Sequence, residues 1–294
     1  MTFNELLSTV LLPGATCGLV AGLAVWFTLP SSSPTSAVRR RGHPARWRGP
    51  VAVIMPPLAL AGALCWTLAI VENGLAFPPP QRWQWLSVLA LAAIPVGAVV
   101  GWRHHSKLDR AVGGVLIAAA VLWTLRPPPV VEAALFWTIG IAVVSSLWWL
   151  AARPLAVSRR PGAWDAALAL TLFGAAIIFL GGRFLKLALL VSSIGVALII
   201  FSLSSWTSDQ RPREAMAAAA ALLLPGLLAI GFFYRQTDIH LAAYIVLLIA
   251  PLALWIGALR PQRSWRIAGF GAVVALLAGT VTWTMLTVGL VRDL

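Results

Sequence analysis

Ten apolar stretches, most of them about 20 residues long, follow one another along the chain with short hydrophilic breaks between them. A helix rises about 1.5 Å per residue, so about 20 apolar residues cross a hydrocarbon core about 30 Å thick. At that length the spans fall at roughly 5–29, 50–71, 83–102, 110–126, 130–152, 163–181, 185–205, 213–234, 239–259 and 266–291. The fourth is the shortest, and Arg110 and Arg126 at its ends can snorkel to the headgroups. The expected fold is therefore all-α: a polytopic membrane helix bundle of about ten transmembrane helices, one integral membrane domain over 1–294. Composition agrees, because 60% of residues are hydrophobic and 11% charged, whereas a soluble domain carries about 25% charged residues. No break exceeds about 20 residues, leaving no room for a soluble domain. Any chemistry must occur within the membrane or at its surfaces.

Charge gives the chain a direction. It has 22 Lys and Arg against 9 acids, a net charge of +13. In a soluble protein that balance would suggest a nucleic-acid partner. Here the arginines lie between apolar spans, which points to topology and to anionic lipid headgroups, with no nucleic acid. The densest cluster is Arg39-Arg40-Arg41-Gly42-His43-Pro44-Ala45-Arg46-Trp47-Arg48, between the first two spans. Assigned to the inner face, that loop and its alternates hold 16 of the basic residues, against 6 in the outer segments. Both termini then lie outside, in the cell (cytoplasmic or inner) membrane. The first span has no basic start and carries Glu5, so it reads as an uncleaved helix despite Thr35-Ser36-Ala37. Most of the 15 tryptophans fall near span ends, as an aromatic belt requires. Pro-rich outer turns, Phe77-Pro78-Pro79-Pro80 and Arg126-Pro127-Pro128-Pro129, separate neighbouring helices.

Two small-residue faces stand out. Gly14, Gly18 and Gly22 recur every fourth residue in the first span, as do Gly271, Ala275 and Gly279 in the last. Such faces let another backbone approach closely, so they read as helix packing, against each other or in a homo- or hetero-oligomer. Proline interrupts spans at Pro13, Pro56 with Pro57, Pro95, Pro225 and Pro251. Transporters use broken helices near the midplane to expose backbone to a solute. Division into halves 1–155 and 156–294 gives five helices each, in opposite orientation. Pro95 with Gly97 and Pro225-Gly226 then occupy the third helix of each half and are the candidate substrate path.

The ionisable residues point away from ion-coupled transport, since all nine acids lie at or near expected helix ends. The histidines His43, His104, His105 and His240 lie in or beside loops, and Cys17 and Cys65 have no paired spacing. No metal, haem or other cofactor is expected. One outer-face group is a candidate site: Glu72, Asn73, Glu132, Tyr234, Asp238 and His240. Asp238 and His240 could orient one another as a general acid–base pair. P-loop, G-x-S-x-G and H-E-x-x-H signatures are absent, so no catalytic residue is assigned and an enzyme is not expected.

Ten helices in about 300 residues resembles the drug/metabolite transporter superfamily, which implies both termini in the cytoplasm, where the arginines here place them outside. The turn Phe77-Pro78-Pro79-Pro80-Gln81-Arg82-Trp83-Gln84-Trp85-Leu86 and the stretch from Leu227 to Pro251, with Gly231-Phe232-Phe233-Tyr234, resemble uncharacterised multi-pass membrane proteins of planctomycete type. That resemblance implies a membrane protein and brings no activity or site. Three functions follow as expectations. A passive or non-proton-coupled small-solute transporter comes first, a non-catalytic scaffold or complex subunit second, and an outer-face membrane enzyme third.

Overall fold

A computed structural model describes residues 3–28, 48–75, 77–102, 107–124, 134–157, 163–204, 211–258 and 263–288. The chain is a polytopic membrane helix bundle. Among the described residues nine helices are long and apolar enough to cross a membrane, and the apolar helix Arg110–Thr124 is shorter. The first helix, α1, joins Phe3–Leu6, a π-turn Leu7–Leu11 and Leu12–Thr28. Then come α2 (Arg48–Val71), α3 (Leu86–Trp102, entered through a 3-10 turn Arg82–Trp85), α4 (Lys107–Thr124) and α5 (Ala134–Val157). The second half contains α6 (Ala163–Gly181), α7 (Leu185–Ser204), α8 (Arg211–Phe233), α9 and α10 (Arg263–Thr287). Helix α9 joins Leu241–Ile249, a 3-10 turn Ala250–Leu254 and Trp255–Ala258. The arginine cluster at 39–47, residues 35–37, His43, His104, His105, the turn 126–129 and Glu132 lie outside the described residues.

The bundle is built around α8. In lipid there is no hydrophobic drive between helices, so association depends on close packing, and small side chains permit it. The run Ala217-Ala218-Ala219-Ala220-Ala221 supplies that in one helix, and every one of these residues is buried. Around it stand α2, α3, α5 and, at fewer points, α4, α6, α7 and α9. Helix α1 lies outside that ring, against α2 and α7, and α10 leans on α6 and α9.

At two of the helix prolines, a neighbouring side chain takes up a freed carbonyl. Pro13 has no N–H to give to the carbonyl four residues back, that of Thr9. The Thr67 hydroxyl of α2 donates to that oxygen instead, at 3.1 Å. Pro251 falls in the 3-10 turn of α9, and Trp148 Nε1 donates to the Leu248 carbonyl there at 2.7 Å. Helix α5 departs from its expected range, running through Arg153 and Pro154 to Val157 rather than stopping at 152. The cause is a partner: Arg153 Nε and Nη2 both reach Glu214 Oε1 of α8, at 2.9 and 2.8 Å. A paired arginine is free to stay inside the bundle.

Candidate functional site

At the end opposite Arg153 and Arg211, three turns meet. The turn after α2 closes with Asn73 at φ 55° and Gly74 at φ 138°. The Gly74 N–H donates to Ala69 O at 2.7 Å and the Asn73 N–H to Ile70 O at 3.4 Å. That is the Schellman arrangement, which places C′ in the left-handed region where asparagine is tolerated. Asn73 therefore acts through its backbone. The turn after α6 repeats the geometry with Arg183 at φ 57° and Phe184 N–H donating to Phe179 O at 2.9 Å. The third turn, after α8, is tied to the second by Gln236 N–H to Gly182 O at 3.0 Å and Thr237 Oγ1 to Gly181 O at 3.1 Å.

Side chains lock this cap. Glu72 accepts from Lys186 Nζ at 2.6 Å and from Gln84 Nε2 at 2.9 Å. Trp83 packs edge-on to Phe184, with Lys186 Nζ 5.9 Å from its ring centre. Tyr234 stands 6.1 Å from the Phe184 ring. Burial pushes its phenol above the ordinary value, opposed by the Arg82 charge and a hydrogen bond with the Trp83 backbone. Glu72, Asn73 and Tyr234 thus belong to one structural patch.

Asp238 and His240 lie elsewhere. The His240 ring stacks on Trp283 of α10, 5.5 Å between centres and 11° from parallel. Among the described residues no hydrogen bond joins His240 to Asp238. Asp238 lines an open cleft of about 510 Å³ with Trp137, Phe232, Phe233, Arg235, Gln236 and Thr237. The cleft floor is aromatic: Trp137 is edge-on to Phe233 at 5.5 Å and tilted against Phe232 at 6.2 Å. Arg235 lies over the Phe232 ring at 3.9 Å and donates through Nη1 to Phe232 O at 2.6 Å. Neither Trp137 nor Arg235 stands out in the sequence; what joins them is Phe232, which both meet.

The residues of the expected substrate path lie in helix-packing contacts. Gly97 of α3 faces Ala215 O and Pro57 of α2, where an added methyl would stand 2.8 and 3.0 Å from them. Gly226 of α8 faces Leu89 of α3. This antiparallel register sets Pro95 between the levels of Ala217 and Ala220, about 8–12 Å along the axis from Pro225. Pro95 itself is exposed on the bundle surface and Pro225 is buried. Between α2, α6, α7 and α8 is a void of about 10 Å³ lined by Leu60, Leu168, Leu172, Ile194, Leu198, Ala220, Leu223 and Leu224.

The two glycine faces do not meet. Gly14 and Gly18 lie against the carbonyls of Ser193 and Ala197 in α7, and Gly22 is buried. Gly271, Ala275 and Gly279 are exposed, and nothing lies within 4 Å of a methyl added at either glycine.

The structure also buries charge. Glu214 is 1% exposed and Arg213 and Asp165 are each 8% exposed. Asp165 is hydrogen-bonded to Ser202 and feels the Arg213 charge. Among the described residues no three His, Cys, Asp or Glu side chains gather as metal ligands. A scan against protein-family models, a search of curated proteins and a search of solved structures each find no match to this chain.

Proposed function

We propose that the protein is a structural subunit of a membrane assembly, a helix-bundle scaffold of the cell (cytoplasmic or inner) membrane. The close packing of the buried α8 against α2, α3 and α5 carries this reading. A carrier needs polar groups or open backbone facing a cavity near the midplane. The void beside Ala220 is lined by alanine, leucine and isoleucine and lacks the polar partners a water requires. The outward Gly271-Ala275-Gly279 face of α10 is the surface such a subunit would offer to a further helix. Anionic headgroups would meet the arginines of the opposite-side loops.

Passive small-solute transport is the second reading, and the cleft beside Asp238 favours it, since it is open at the end of α8. One experiment separates the two. With Cys17 and Cys65 replaced by alanine, Ala220→Cys is placed in the void and Gln236→Cys on the exposed turn. The protein in proteoliposomes is then exposed to a water-soluble thiosulfonate. A scaffold leaves Ala220→Cys unmodified while Gln236→Cys reacts. Reaction of Ala220→Cys at a comparable rate means the bundle opens to water, and transport takes over.

A further inference from the structure

The cleft carries a fixed positive group, a carboxylate and an aromatic floor, and no part of the scaffold reading uses them. The Arg235 guanidinium is held by Phe232 from two directions, through its carbonyl and its ring. Its remaining N–H groups form a fork suited to a phosphate. Asp238, three residues on and exposed, lines the same cleft. Trp137 and Phe233 add ring surface of the kind that attracts an alkylammonium. Opposite charges beside aromatic surface complement a zwitterion.

Position selects which zwitterion. The cleft sits where α8 ends at Phe233 and α5 begins at Ala134, the level of headgroups for helices that span the bilayer. Trp137 stands next to Leu135 and Phe136, 72% and 73% exposed. Ile139, Val143 and Leu147 continue that exposed apolar flank down α5. Acyl chains have a surface to follow there, which a free solute would leave unused. A volume of about 510 Å³ is ample for a headgroup. We propose that this cleft binds the headgroup of a zwitterionic phospholipid, phosphate against Arg235 and ammonium against Asp238 and Trp137.

The test is native mass spectrometry of the delipidated protein in detergent. It is titrated with dioleoyl phosphatidylethanolamine, with dioleoyl phosphatidylglycerol, and with O-phosphoethanolamine as the headgroup without chains. The wild type should retain the ethanolamine lipid about fivefold more tightly than the glycerol lipid, the scale of one exposed ammonium–carboxylate and ring contact. Asp238→Asn removes an exposed carboxylate that, among the described residues, has no hydrogen-bond or ion-pair partner, so the fold survives, and the preference should fall to parity with glycerol-lipid binding unchanged. Arg235→Gln should weaken both lipids. Equal retention of the two lipids by the wild type overturns the proposal, as does a preference that persists in Asp238→Asn. Displacement of the lipid by O-phosphoethanolamine at matched concentration also overturns it and assigns the cleft to a soluble zwitterion.

Discussion

Gly18 and Gly271 sit in the same kind of motif, small residues four apart, yet their surroundings are opposite. A methyl on Gly18 would collide with the Ala197 carbonyl, a backbone atom that cannot rotate away, whereas Gly271 faces open space. Gly18→Ala should therefore destabilise the protein by about 1–3 kcal/mol, the cost of forcing a methyl into a packed contact. Gly271→Ala should stay within about 0.5 kcal/mol of wild type, as surface changes do. Unfolding followed by tryptophan fluorescence in mixed micelles measures both; equal losses would mean that α1 and α7 do not pack as described. The spacing of these residues was legible in the chain, but only the face with Gly14 and Gly18 packs against another helix among the described residues. Their partners were not legible, because a helical face carries no record of which helix meets it. Asn73 shows the same limit: as a polar residue at a span end it looked chemical, but its use is the left-handed turn that it closes. Tyr234 gives a pH test of the cap. Burial favours its neutral phenol, so its contribution to stability is complete below the ordinary value of 10.0 and is lost as pH rises through the higher folded-state value. The chain has 2 tyrosines, so the phenolate absorbance of a Tyr244→Phe variant reports Tyr234 alone. It should titrate above 10.0 when folded and return to the ordinary value in denaturant.

Helices α5 and α8 depend on each other through Arg153 and Glu214. Both residues were visible in the sequence as polar markers near span ends, but they are 61 positions apart and nothing local joins them. The apolar span accordingly stops one residue short of Arg153. Packing carries the helix further, because Glu214, in the first turn of α8, neutralises the arginine and lets α5 run on to Val157. Removing one partner takes a charge-assisted bond from the other in a medium that solvates charge poorly. Glu214→Ala should cost about 3–5 kcal/mol, while the apolar pair Arg153→Met with Glu214→Leu should recover most of the loss. A double-mutant cycle of unfolding in micelles tests this, and additive effects would mean that the two charges are not coupled. The repair at Pro13 follows the same logic on a smaller scale. Thr67→Val leaves the Thr9 carbonyl without its donor, at a cost of about 0.6–2 kcal/mol.

For the whole molecule, alternation was the most legible property, since each span must return the chain to the other side. The described contacts agree with it: the turns after α2, α6 and α8 meet at one end, and Arg153, Asp165, Arg213 and Glu214 gather at the other. Geometry alone does not say which end faces the cytoplasm; the arginine bias sets the expectation that the turns after α2, α6 and α8 lie outside, through the cost of moving Lys and Arg across during insertion. Two exposed positions read the orientation out. Gln236 stands on the turn after α8, and Ser264 opens α10 at the far end. In a background with Cys17 and Cys65 replaced by alanine, an impermeant maleimide should label Gln236→Cys in intact cells and Ser264→Cys only after permeabilisation. The reverse pattern would invert the protein and place the zwitterion-complementary cleft on the cytoplasmic leaflet. Labelling of both from outside would break the alternation itself, because α9 could not then cross the membrane between them.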